Sequence, residues 1–377
     1  MFDPVSTTMV SAILSYSLER NPLSGPWLDG LEQQLEREMD YQPPTDFEAV
    51  FILGVPQSGA TVIHQLLCQS PETAFFALGQ LSVVDHFLLS DRWMEAIRWM
   101  VVSERQGLAN DAVYDLESPE EGVHAFLSMC NHPLIQGRYG LVAAMDILSG
   151  REEVALGQHR ELSSYIQQLN YRLREGQPNT FLNSYQVRKF REQVEKSVFV
   201  WRKRNRPVTH FLGKIPAASL SPRLFSYLFP GAKFVHIARS PQQVLPAFLK
   251  STKETQSIPF ISQRPINDRV LASYYGLLTQ SLNQEVFDLD GANRAFHLTY
   301  EDLIRDPEPI LKALVDFLGF KNRSTILDTG VNHVKALSRI PTTPTLQRIE
   351  ELIATYAPNA LEHYTRTQQQ STVGIQA

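Results

Sequence analysis

Cysteine is scarce. Cys68 and Cys130 are the two in 377 residues, too few for a disulfide framework. Both lie in apolar, helix-like patterns, which predicts buried thiols in a reducing compartment. Positive charge is not in excess either. Thirty-five Lys and Arg face 40 Asp and Glu, for a net charge of -5, so no global basic field draws the chain to nucleic acid or an acidic membrane. No apolar run approaches the roughly 20 residues of a membrane span. The segment Met9-Val10-Ser11-Ala12-Ile13-Leu14 has no basic stretch before it and no clear small-residue cleavage site, so the cytoplasm is the expected compartment. The ten histidines are scattered, without His or Cys partners at ligand spacing, and no metal is expected. Internal repeats and low-complexity core segments are also missing.

The hydrophobic fraction is 43%, ordinary for a globular protein with a sizeable core. The stretch that organises the chain is Phe51-Ile52-Leu53-Gly54-Val55-Pro56-Gln57-Ser58-Gly59-Ala60-Thr61. An apolar run ends in a glycine-bearing loop, and the loop opens into Val62-Ile63-His64-Gln65-Leu66-Leu67, so the pattern predicts strand, loop, helix. Such a loop aims backbone N–H groups at one spot beside the positive end of a helix dipole, which suits a phosphate or sulfate. A nucleoside triphosphatase needs Lys at position 60. This chain has Ala60, which puts the kinase and GTPase readings last.

Further along, strands are predicted over 48–53, 208–213, 233–238 and 295–299. Helices are predicted over 91–105, from the capping box Ser118-Pro119-Glu120-Glu121 to about Cys130, and over 152–175, 185–201, 221–229 and 267–287. Two more start at Ser240 and Asp306. The basic run Arg202-Lys203-Arg204-Asn205-Arg206 can bind phosphate, but such a run is more often a solvated helix end. The last dozen residues are polar and expected to fray. Alternating strands and helices imply a three-layer α/β sandwich around a parallel central sheet, P-loop-like, as a single domain over 1–377 with a helical cap at roughly 70–205. Ligands in such sheets bind outside the C-terminal strand ends. The loop 54–61 and Arg239 both fall there, where they can grip the two ends of one nucleotide.

Four stretches together resemble the sulfotransferases that use 3′-phosphoadenosine 5′-phosphosulfate (PAPS), closest to a bacterial branch whose first motif reads G-x-P-R-S-G-T-T. Here that motif is Gly54-Val55-Pro56-Gln57-Ser58-Gly59-Ala60-Thr61. The others are Asp115-Leu116-Glu117-Ser118-Pro119-Glu120-Glu121, then Phe211-Leu212-Gly213-Lys214-Ile215-Pro216 with Phe229-Pro230-Gly231 through Arg239-Ser240-Pro241, and Tyr300-Glu301-Asp302-Leu303 through Phe317-Leu318-Gly319. The resemblance spans roughly 48–320 in order. It implies that Gly54, Ser58, Gly59 and Thr61 hold the 5′-phosphosulfate, that Arg239 holds the 3′-phosphate, and that Lys214 sits near the sulfuryl group or the 3′-phosphate end.

The chain departs from the pattern at charged or hydrogen-bonding positions. The loop cation is Gln57, which keeps a donor but no charge, and removing one transition-state donor typically costs about 10²–10³ in rate. A loop hydroxyl is replaced by Ala60. The serine eight residues after the motif arginine is Ala247, and the histidine four residues after the strand lysine is Ala218. PAPS binding is therefore the point to test. Candidates for the base that takes the acceptor's proton are His124, Glu120, Glu121, Asp115 and His64. His64 reads equally as a packing residue, and Gln80 falls where the branch often has a glutamate. The expected function is sulfuryl transfer from PAPS, by Gln57, Lys214 and one of these bases, to a hydroxyl or amine of a small-molecule or carrier-bound acceptor. The alternatives are an enzyme of the same fold that no longer uses PAPS, and a non-catalytic binding protein.

Overall fold

The computed structural model describes residues 24–81, 86–97, 103–104, 113–114, 119, 129, 152–178, 181–214, 221–256, 267–290, 293–337 and 347–376. The strands are β1 (Glu48–Leu53), β2 (Thr73–Phe75), β3 (Ser103–Glu104), β4 (Val113–Tyr114), β5 (His210–Lys214), β6 (Lys233–Ala238) and β7 (Ala295–Thr299). The helices up to the sheet's middle are α1 (Ser24–Glu38), α2 (Ala60–Cys68), α3 (Phe87–Ile97), α4 (Glu152–Arg174), α5 (Ser184–Lys203) and α6 (Pro222–Leu228). Beyond it come α7 (Pro241–Gln256), α8 (Asp268–Asp290), α9 (Tyr300–Arg305), α10 (Pro307–Leu318), α11 (Ser324–Leu337), α12 (Gln347–Tyr356) and α13 (Asn359–Gln376).

The central sheet runs β2-β5-β1-β6-β7, and each neighbouring pair is parallel. A parallel strand covered on both faces reads as a continuous apolar run, and β1 is buried at every position after Glu48. Helices α2 and α5 pack on the β2–β5–β1 half, and α8, α10 and α13 pack against the other edge, at β7. Phe51 of β1 sits among Phe211, Phe225, Phe229 and Phe234, with ring centroids 4.6–6.3 Å apart.

The topology fixes where a ligand can enter. From β1 the chain goes to one side, through β2 and back to β5, and then crosses to β6 and β7 on the other side. The order therefore switches at β1, and the crevice at such a switch point opens at the C-terminal strand ends. There β1 lies between β5 and β6, with Ile52 paired to Lys214 and Leu53 paired to His236.

Four expectations change. The helix expected over 91–105 is α3 at Phe87–Ile97, and β3 at Ser103–Glu104 lies where that helix was to end. The edge strand β2 is absent from the sequence prediction: three residues after Pro71 are too short to show a period. The last dozen residues do not fray, for α13 runs to Gln376. Its polar residues Thr367 and Ser371 are buried, and the Ser371 hydroxyl donates to Asp302. The basic run is spent on structure. Arg202 bonds Asp46 and the Val208 carbonyl, Arg204 bonds Asp91, and Arg206 bonds the carbonyls of Ser70 and Pro71. Among the described residues, no helix is long and apolar enough to cross a membrane.

Candidate functional site

The loop after β1 has two positions where backbone geometry demands glycine. A Cβ on Gly54 would lie 2.5 Å from Ser58 Oγ and 2.9 Å from the Ile237 carbonyl oxygen. Gly59 caps α2 at φ 98°, and a Cβ there would lie 2.5 Å from the Tyr300 ring. Between them Gln57 also takes a positive φ, 69°. The Gly59 cap offers no side-chain bond to α2, and a helix's first N–H groups have no acceptor within the helix. Ser58 Oγ is fully buried and has no hydrogen-bond partner among the described residues. A helix N-terminus without a side-chain cap and an orphaned buried hydroxyl in one glycine-shaped loop are what a bound oxyanion satisfies.

Two cations join the loop from the neighbouring strands. Lys214, at the end of β5, is buried, and its Nζ donates to Thr61 Oγ1 at 2.7 Å. Arg239 follows β6, and its Nη1 donates to the Gln57 carbonyl at 3.3 Å. Its guanidinium lies 4.5 Å from the Tyr300 ring centroid. The structure thus brings together Gly54, Gln57, Ser58, Gly59, Thr61, Lys214 and Arg239.

The side chain of Gln57 turns to α7, where Nε2 donates to Ser251 Oγ at 3.3 Å. Ser251 lies one helical turn beyond Ala247, on the same face, and that i+4 spacing is the signal that could have found it. Tyr300 and Glu301 also went unassigned in the sequence, although they head a quoted motif. Tyr300 lies against Gly59 and Arg239, and Glu301 Oε1 accepts a bond from the Ser240 amide at 2.9 Å.

His64 is not available as a base. It is 2% exposed, and burial, then the charge of Lys214, pushes its imidazole down to about 3. Gln80 is equally committed, accepting from the Ala77 amide and donating to Asp91. Glu120, Glu121, His124, Asp115 and Ala218 lie outside the described residues. Pro119 is described, and it bridges to Ala77, just past the C-terminal end of β2.

A second cluster lies behind Arg239 and Tyr300 in the chain. His236 of β6 and His297 of β7 each precede those residues by three positions, and His363 comes from α13. His236 Nδ1 is 3.1 Å from His297 Nδ1, and His236 Nε2 is 3.1 Å from His363 Nε2. All three rings are buried. His236 spends each ring nitrogen on a different neighbour, so the three do not converge on a point. Among the described residues no group of His, Cys, Asp and Glu is placed to hold a metal ion.

Comparison with known proteins agrees with this geometry. Two curated relatives, the omega-hydroxy-beta-dihydromenaquinone-9 sulfotransferases Stf3 of Mycobacterium bovis and Mycobacterium tuberculosis, are each 25% identical over 281 residues. The match covers 72% of this chain but 62% of either relative, so the chain spans less than two thirds of their length. Among solved structures, sulfotransferase STF9 from Mycobacterium avium superposes with a TM-score of 0.53 at 15% identity, over 87% of this chain and 80% of that one, a likeness of fold. The model of the sulfotransferase family matches residues 49–323, from β1 to just past α10, and the chain belongs to that family.

Proposed function

We propose that the chain is a cytoplasmic enzyme that transfers a sulfuryl group from PAPS to a hydroxyl or amine of a small-molecule or carrier-bound acceptor. The observation that carries this reading is the convergence of the uncapped α2 N-terminus, the orphaned Ser58 hydroxyl, Lys214 and Arg239 at one topological switch point. The loop amides, Ser58 and Thr61 hold the phosphosulfate end, with Lys214 supplying positive charge. Arg239 holds the remote phosphate. PAPS, when bound, supplies the sulfuryl group. The candidates for the base are Glu120 and His124, in the sequence that follows Pro119. The relatives are named for an omega-hydroxy-dihydromenaquinone, which favours a hydroxyl on an apolar body as acceptor. Of the stretch 70–205 expected as a helical cap, β2 is a strand of the central sheet and α5 packs on that sheet.

A second reading rests on one contact. Gln57 is neutral and its Nε2 is held by Ser251, so the loop offers the breaking bond neither a cation nor this donor, and the cleft then serves chemistry other than transfer from PAPS. Sulfur-35-labelled PAPS with 2-naphthol and a long-chain alcohol separates the two. Slow transfer by the wild type is expected, raised about 10-fold or more in Gln57→Arg, since one well-aimed donor is worth about 10²–10³. No transfer by either protein favours the second reading.

A further inference from the structure

We infer that Glu301 is a positioning residue that aims Arg239 at the bound anion by anchoring the Ser240 amide; the inference rests on the proposed donor site. An acid in the first turn of a helix ordinarily serves its own helix dipole. In α9 that work is done elsewhere. Thr299 Oγ1 accepts from the Asp302 amide, and the Thr299 hydroxyl donates to Asp302 Oδ2. Glu301 instead reaches across to the turn after β6, where Oε1 accepts from Ser240 N at 2.9 Å. That amide belongs to the peptide unit whose carbonyl is Arg239's.

The next turn of chain is held from the other side. The Ser240 carbonyl accepts from the amides of Gln243 and Val244, starting α7. The Arg239–Ser240 peptide is therefore anchored to α9 through its N–H, and the peptide after it to α7 through its carbonyl. The Arg239 guanidinium then rests 4.5 Å from the ring of Tyr300, the residue directly before Glu301, and 3.3 Å from the Gln57 carbonyl. Residues 300 and 301 thus fix Arg239 at its head and at its backbone.

The surroundings of the carboxylate fit an anchor. Its second oxygen, Oε2, is buried with no hydrogen-bond partner among the described residues. The neighbouring Tyr364 hydroxyl is pushed up to about 12 by burial, then by the Glu301 charge and by its hydrogen bond to Glu301, so it stays protonated and steadies the carboxylate. A carboxylate so close to an anion-binding arginine opposes the anion electrostatically. The bond to Ser240 needs an oxygen acceptor, not a charge, and this separates the anchoring role from a charge effect.

The experiment compares wild type, Glu301→Ala, Glu301→Gln, Arg239→Ala and the Glu301→Ala/Arg239→Ala double variant. Affinity for adenosine 3′,5′-bisphosphate is read by calorimetry, and exchange of the Ser240 amide is read in the ligand-free proteins. Glu301→Ala should weaken binding about 10-fold or more, and Glu301→Gln should bind as wild type or slightly tighter. The double variant should bind no more weakly than Arg239→Ala, because residues acting through one another are non-additive. Ser240 exchange should rise in Glu301→Ala and not in Glu301→Gln. Glu301→Met, which keeps the bulk and removes the acceptor, replaces Glu301→Ala if that variant does not fold. Wild-type affinity in Glu301→Ala, or additive losses in the double variant, overturns the inference. If the wild type binds no bisphosphate, the donor reading fails by itself. Exchange then decides the anchor: faster Ser240 exchange in Glu301→Ala upholds it, and unchanged exchange overturns it.

Discussion

Gly59→Ala is expected to lower affinity for adenosine 3′,5′-bisphosphate by about 10²-fold or more while the sheet stays folded. Two effects add. At φ 98° an L-residue occupies left-handed space at a cost of about 1–2 kcal/mol. The new Cβ also lies 2.5 Å from a Tyr300 ring carbon, so the loop or the ring must move. If the ring moves, Arg239, which rests on it, moves with it. If the loop moves, its amides leave the anion. A misplacement of about 1 Å in a positioned site costs about 10²-fold. Thermal melting should fall by only a few degrees, since a loss of about 1–2 kcal/mol is spread over a large domain. Adding Tyr300→Leu relieves the clash but not the strain and should recover part of the affinity. Wild-type affinity in Gly59→Ala would mean that the loop is not where the anion sits.

The second large effect is on stability against pH. Burial pushes His363 down to about 3 and His297 down to about 4. His236, buried between them, is held well below the ordinary value, first by burial and then by His363 and His297. With all three neutral, one nitrogen of His236 donates and the other accepts. Arg366 bears on the same group. It lies 4.0 Å from the Phe287 ring, which stacks on His297, and its charge also disfavours protonation of His297 and His363. Since the folded values lie below the unfolded value of about 6.5, the unfolded chain binds protons that the folded chain refuses. The stabilising contribution is complete above about pH 6.5 and is lost as pH falls from there toward 4. Each histidine then removes about 1.4 kcal/mol per pH unit, so three remove about 4, against a total stability of about 5–15 kcal/mol. His64 acts in the same direction. Urea unfolding between pH 7.5 and 5 should show a steep fall below 6.5, and His363→Gln should reduce its slope by about one proton. Stability that stays flat from pH 7 to 5 would contradict the buried neutral cluster.

Much of the fold is legible in the sequence because its main strands are buried on both faces. Apolar runs at 48–53, 233–238 and 295–299 coincide with β1, β6 and β7. The glycines of the loop are legible for the same kind of reason, as local backbone demands. What escapes is set by distance or by polar packing. The strand β2 is three residues long, less than two periods of alternation. The end of α13 reads as frayed because its composition is polar, yet Thr367 and Ser371 are buried through hydrogen bonds to the His363 carbonyl and Asp302. The direction of Gln57 depends on Ser251, 194 residues away. His236 and His363 are 127 residues apart, so no spacing announces their contact. Lys214 and Arg239 were readable as cations at strand ends, but their partners, Thr61 and the Gln57 carbonyl, come from the topology.

On the function proposed above, the cleft at the end of β1 holds the two anionic ends of a PAPS-type nucleotide. Calorimetric titration of adenosine 3′,5′-bisphosphate into the wild type, beside Arg239→Ala, tests it most directly. Saturable binding by the wild type in the micromolar range is expected. Arg239→Ala should weaken it about 10–100-fold, as expected for a lost charge-assisted bond of about 1.5–3 kcal/mol. No heat from the wild type at millimolar ligand, or equal binding by Arg239→Ala, would contradict it.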